Sequence, residues 1–188
     1  MSIRLSMICH APMPSAGGVA FFGDESVDPE QLRKVIPARS DLGKFERVWT
    51  APELRTRETA AMLNPAVTIV PDLRDCDFGR WRGRELTAIH MEESAAVSTW
   101  LADMSENPHG GEALLDVVRR TGQWLDQYDQ RGHTVAVTHP SVIRAAVICV
   151  LDAPPQSFWR IDVEPLTIAD FRQHNGRWTL RSVGSTLR

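Results

Sequence analysis

The chain has 188 residues, 43% of them hydrophobic and 24% charged, a balance that suits one globular domain, residues 1–188, with a sizeable core. Its 21 basic and 24 acidic side chains leave a formal charge of −3, which argues against nucleic acid as a partner. No stretch approaches the roughly 18 apolar residues of a membrane span, and three scattered cysteines, Cys9, Cys76 and Cys149, imply no disulfide framework.

Ile3 to Cys9 reads as a buried strand, apolar except at Arg4 and Ser6. Residues 11–24 hold Pro12, Pro14, Gly17, Gly18 and Gly23 and predict a loop, whose paired Phe21 and Phe22 are candidates for a substrate wall. Asp28-Pro29-Glu30 is a helix start, with a carboxylate at the N-cap and Pro at the first helical position. That helix is expected to run to about Leu42, with Pro37 ending or kinking it. Phe45 to Trp49 predicts a strand, Glu53 to Leu63 a helix, Val67 to Val70 a strand, and Asp72 to Gly83 a loop.

Two helices follow, roughly 85–104 and 112–130, joined by Asn107-Pro108-His109-Gly110-Gly111. Thr134 to Thr138 is a buried strand and Ser141 to Leu151 the helix after it. Thr167–Arg172 and Arg177–Val183 form a β-hairpin about Asn175-Gly176. Strands alternating with helices define an α/β sandwich around a mostly parallel sheet. Ligands in such folds sit beyond the carboxyl ends of the strands.

Four residues fall there: His10 after the first strand, Arg55 at the start of the second helix, Asp75 in the loop after the third strand, and His139 after Thr138. Two imidazoles and a guanidinium around one point suit a phosphate, because the planar Arg fork matches phosphate oxygens. The helix near Ser141 adds backbone N–H groups. A nearby carboxyl can protonate a leaving alkoxide. Taken singly, each has a plainer role: a His after a strand as a structural hydrogen-bonder, an Arg at a helix start as surface, Asp75 as a loop cap.

The motifs are more specific. Thr50-Ala-Pro-Glu-Leu-Arg55-Thr-Arg-Glu-Thr-Ala60 resembles the S-S-P-L-x-R-A-x-x-T-A segment of the histidine phosphatase (phosphoglycerate mutase-like) superfamily. Leu73-Arg-Asp75-Cys-Asp-Phe-Gly-Arg-Trp-Arg-Gly83 resembles L-x-E-x-x-F-G-x-W-E-G of its α-ribazole and broad-specificity phosphatase branch. Pro108-His-Gly-Gly-Glu112 is similar to P-x-G-G-E-S, and Val135-Ala-Val-Thr-His139-Pro-Ser-Val-Ile-Arg144 to V-x-V-x-H-G-x-x-I-R.

The resemblance implies a three-layer α/β/α sandwich and a cofactor-free, metal-independent phosphomonoesterase. His10 would be the nucleophile, forming a phosphohistidine; Arg55 and His139 would hold the phosphoryl oxygens, and Asp75 would be the proton donor. It implies a small phosphorylated metabolite as substrate. From composition and hydropathy instead come the expectations of no nucleic acid and no membrane as partner and of a cytoplasmic location by default, and a homodimer is compatible with them.

The first motif departs from the family's R-H-G-[EQ]-T: here it is Cys9-His10-Ala11-Pro12-Met13. A charge-assisted donor aimed at developing charge contributes roughly 2.7–4 kcal/mol, so the missing guanidinium must weaken the site, be replaced, or retune it. Arg82, Arg57 and Arg144 are candidate compensators, and Glu112 is either a substrate-binding carboxylate or a structural one at a helix start. Cys9 is not expected to be a nucleophile, since the Arg that a cysteine phosphatase needs six residues later is Ser15; a small buried strand-end residue is the reading. His90, His109, His133 and His174 lie outside the motifs and read as surface residues. The alternative function is an impaired relative that binds a phosphorylated ligand or protein partner.

Overall fold

The opening strand, β1 (Ile3–Cys9), lies at the centre of a six-stranded sheet in the computed structural model, which describes residues 3–14, 19–33, 35 and 39–186. It pairs in parallel with β6 (Gly132–Thr138), which pairs in parallel with β3 (Arg47–Thr50), and that with β4 (Val67–Ile69). On its other side runs the hairpin of β7 (Thr167–His174) and β8 (Arg177–Thr186), with β7 antiparallel to β1. Asn175 and Gly176 both take positive φ, 51° and 77°, the geometry of a two-residue hairpin turn that Asn-Gly favours.

The inner strands are apolar on both faces, as a sheet covered on both sides requires. From β1, Leu5, Met7 and Cys9 enter one core while Ile8 enters the other. The first core is completed by helices α3 (Leu86–Ala102), α4 (Leu114–Asp126) and α5 (Pro140–Leu151). The second is completed by α2 (Leu54–Leu63), through Ala60 and Leu63, with Val27 and Val35. These are the three layers expected. Among the described residues no helix is long and apolar enough to cross a membrane.

Several boundaries differ from the sequence reading. Of the helix expected from residue 28 to about 42, the described residues show α1 (Pro29–Leu32), capped by Asp28, a helical Val35 and a 3-10 turn at Arg39–Leu42. Pro37 lies outside the described residues, as do Gly17 and Gly18 of the 11–24 loop. Within that loop Ala20–Phe21 forms a two-residue strand, β2, against β5 (Arg84–Glu85). The 72–83 loop contains two 3-10 turns, Pro71–Leu73 and Gly79–Trp81. Helix α3 is broken at Glu93, whose φ/ψ of −135°/47° is not helical.

His109 and His133 are not surface residues. His133 is buried between Ser6 Oγ (2.8 Å) and Lys44 O (3.1 Å), and His109 packs against Trp81 and Phe78 while its Nδ1 accepts from Gly111 N–H (3.1 Å). Single polar residues between turn signals give no local sign of burial. His90 and His174 are exposed, as expected.

Candidate active site

Strand register brings the two imidazoles together. Cys9 pairs with Thr138 across the parallel β1–β6 ladder, so His10 and His139 leave the sheet side by side. His10 N–H continues the ladder to Thr138 O (3.1 Å), and the two rings meet edge-on with centroids 5.3 Å apart. Beyond β1 the chain turns to the Val27 face; beyond β6 it enters α5 on the opposite face. The crevice between them is the switch point at which open α/β sheets bind ligands.

Two further elements close over this edge. Ala51 N–H bonds to Val137 O (3.0 Å), which seats the start of α2 beside β6 and buries Arg55 in its first turn at 1% exposure. Thr138 Oγ donates to Leu73 O (2.7 Å), pinning the loop that carries Asp75 across the end of the same strand. Asp75 Oδ2 then lies 2.7 Å from Arg55 Nη2 and 3.3 Å from His139 Nδ1, and Oδ1 accepts from Ser141 Oγ (2.7 Å) and Cys76 N–H (2.8 Å). The structure thus gathers His10, Arg55, Asp75 and His139 at one point.

The protonation pattern follows from the partners. His10 Nδ1 faces Ala11 O at 2.8 Å, and since a carbonyl only accepts, Nδ1 carries the proton and Nε2 the lone pair. Burial, then the neighbouring His139 and Arg55, push His10 down to about 3, so the neutral ring persists at physiological pH. Burial opposes ionisation of Asp75, but His139, Arg55, Ser141 Oγ and the Cys76 N–H outweigh it and hold the carboxyl below its usual range. Asp75 is therefore an internal anion on the donors expected for a phosphoryl group. Two buried nitrogens, Arg55 Nε and His139 Nδ1, still make no hydrogen bond. Burial pushes the Cys9 thiol up and keeps it protonated, against any nucleophilic use.

The Arg55–Asp75 pair is a wall between two hollows of about 400 Å³ each. One opens beside His10 and is lined by Phe21, Phe22, Phe78, Trp100, Phe158 and Trp159; the other is polar, with Asp24, Glu53, Arg74, Asp77 and Arg82. Of the candidate compensators, Arg144 lines the cavity beside His10, and its charge acts on Cys9, the position where the family motif has Arg. Arg82 is on the far side of the wall, exposed and paired with Asp77 (3.0 Å). Arg57 is exposed and lines neither hollow, and Glu112 lines neither.

Glu112 instead forms a forked pair with Arg120, at 2.7 and 3.2 Å. Arg120 in turn donates to Asp72 O, Arg74 O and Asp75 O at 2.7 to 3.1 Å, so the pair braces the Asp75 loop from below. Gly111 is needed in this brace, because a Cβ there would stand 1.9 Å from Asp77 O.

Sequence reasoning also missed Glu53. Although it occupies the N-cap of α2, its side chain makes no cap bond; Asp24 Oδ1 accepts from Leu54 N–H instead, at 2.5 Å. The Glu53 carboxylate accepts from His139 Nε2 (2.8 Å) and from Asp75 N–H (3.1 Å), orienting ring and loop together. The family pattern has Leu at this position, and that departure was the one signal available. Ser141 and Arg120 carried none.

This chain belongs to the histidine phosphatase superfamily (branch 1), whose model matches residues 29–186. Among curated relatives, a bifunctional protein of Mycobacterium tuberculosis is 31% identical over 153 residues, 77% of this chain but 42% of that protein, so the chain spans about two fifths of it. Glucosyl-3-phosphoglycerate phosphatase of the same species is 23% identical over 204 residues, covering 98% of this chain and 91% of the relative. In fold, the chain is similar to the α-ribazole phosphatase of Shigella flexneri, with TM-score 0.83 at 21% identity over 97% of this chain and 96% of the other.

Proposed function

We propose that this chain hydrolyses phosphomonoesters of small metabolites through a phosphohistidine on Nε2 of His10. The observation that carries this reading is one imidazole with its Nδ1 proton committed to Ala11 O, beside a buried guanidinium whose Nε makes no hydrogen bond and a second imidazole whose Nδ1 faces the Asp75 carboxylate at 3.3 Å. An arriving phosphoryl group would meet the Nε2 lone pair of His10 and the free Nε–H of Arg55, and would compete with Asp75 for His139. Nε2 attacks phosphorus in line, the P–O ester bond breaks, and the leaving oxygen takes a proton.

Asp75 supplies that proton. Alone it is ionised, because Arg55 and His139 hold it so. A bound phosphoryl dianion takes those donors and adds a like charge, and both changes raise the affinity of the carboxyl for a proton. It then acts as acid to the leaving alkoxide and, once ionised again, as base to the water that cleaves the P–N bond. Glu53 keeps the His139 ring in register, and Arg144, an arginine that the family pattern also carries, adds positive charge near Cys9.

Steady-state hydrolysis of p-nitrophenyl phosphate and a phosphomonoester panel by wild type and His10→Ala tests this. Loss of activity by about 10⁴-fold or more in the variant is expected. Equal rates would sink it and favour the second reading, a binder of phosphorylated ligands. Two observations motivate that reading: Cys9 replaces an arginine, and a carboxylate already sits on the anion donors.

A further inference from the structure

Resting on the phosphatase reading, we infer a substrate class: the ester's alcohol portion is uncharged and bulky, aromatic or otherwise apolar, and seats in the cavity beside His10. The described lining of that cavity holds three charged side chains: Arg55 and Asp75, which pair with each other, and Arg144, which stacks on the Phe158 ring. Its Ser141 hydroxyl is already engaged by Asp75.

The rest is a ring-lined wall held by its own contacts. Phe21 meets Phe78 at 4.7 Å and Trp100 at 5.5 Å between centroids, Trp100 meets Trp159 at 5.0 Å, and Trp159 meets Phe158 at 5.3 Å. Arg144 is fixed over the Phe158 ring (5.5 Å) with its Nε donating to Ile161 O (2.8 Å), so it does not swing out to meet a distal anion. At the mouth Val19 and Trp159 remain 68% and 39% exposed, apolar surface that a ligand would cover.

A sugar or glycerate placed here would lose its bonds to water and find few partners in exchange, which buried polar groups tolerate poorly. The polar hollow offers such partners, but it lies behind the Arg55–Asp75 wall and His10 does not line it. Geometry therefore assigns the apolar cavity to the leaving group, and with it a specificity unlike that implied by the name of the glucosyl-3-phosphoglycerate phosphatase relative.

The test compares kcat/KM for 2-naphthylmethyl phosphate and glycerol 1-phosphate. Both leave as primary alkoxides, so leaving-group basicity does not bias the ratio. We expect the naphthylmethyl ester to be favoured by about thirtyfold or more, from the apolar area a two-ring group buries. Trp159→Ser and Phe22→Ser should each cut that ratio by about fivefold or more.

His10-dependent turnover with glycerol phosphate equal or better, or a ratio that neither variant moves, overturns the subsite and leaves the phosphatase reading standing. If neither ester is hydrolysed in a His10-dependent way, the phosphatase reading falls. Calorimetric binding of the same two esters then decides the subsite: tighter binding of the naphthylmethyl ester supports it, and equal affinity overturns it.

Discussion

Two hollows of similar size flank a single ion pair, yet their linings are opposite in kind. On one side of Arg55–Asp75 stand Phe21, Phe78, Trp100, Phe158, Trp159 and the reacting edge of His10; on the other stand Asp24, Glu53, Asp77, Arg74 and Arg82, and Phe22 borders both. The polar side looks like a ligand site by composition, and its charges are mostly spent on each other and on the scaffold: Asp24 on the start of α2, Arg82 on Asp77, Glu53 on His139. A cluster of charges marks chemistry only when its donors and acceptors are left without partners. Here Arg55, which borders both hollows, keeps one such donor at Nε.

Asp75→Asn removes the anion from the shared wall and should produce the largest change. On alkyl phosphates we expect kcat to fall by about 10²–10⁴-fold, the range of a lost general acid. On p-nitrophenyl phosphate, whose leaving group needs no proton, the loss should be much smaller. Vanadate should bind more tightly, because the internal carboxylate no longer competes for Arg55. An equal loss on both esters would show that Asp75 is not the proton donor.

Arg55→Lys keeps the charge and loses the fork, and should lower kcat/KM by about 10²–10³-fold. Wild-type rates in this variant would remove the guanidinium from the site.

The depressed His10 also leaves a mark on stability. Its folded-state value, about 3, lies below its unfolded value near 6.5, so the unfolded chain binds the extra proton first. Stability is therefore held above pH ~6.5 and lost as pH falls toward 3. His109 and His133, also lowered by burial, contribute in the same window. Urea denaturation of His10→Gln should therefore show a shallower decline between pH 7 and 4 than wild type, by about 1–3 kcal/mol. Parallel curves would mean that His10 is not held neutral.

Arg82→Ala on the polar side should change kcat/KM by less than about twofold, since an exposed pair contributes little. A tenfold loss would put substrate in the wrong hollow.

Much of this molecule was legible before its structure. Ile3–Cys9 and the apolar run to Thr138 announced two buried strands, and a residue after each strand must lie at the sheet's edge whatever else the chain does. The helix expected over Glu53 to Leu63 put Arg55 in its first turn at the same edge. The helix expected through residue 42 was less legible, because a good N-cap at Asp28 starts a helix and says nothing of where it stops.

Sequence by itself determined the alternation of elements, the α/β class, and the placing of His10 and His139 at strand ends and Arg55 at a helix start, because backbone periodicity and capping act over a few neighbouring residues; the Asp75 loop is drawn to that edge by the long-range bond from Thr138 to Leu73. Tertiary structure alone decided which of Arg57, Arg82 and Arg144 stands near Cys9, that Glu53 holds His139 across 86 positions, and that Arg120 reaches Asp75 across 45. It also decided that the cavity beside His10 is walled by aromatic rings drawn from four separate segments. Those facts depend on where distant backbones bring side chains together, and no local pattern of residues carries that information.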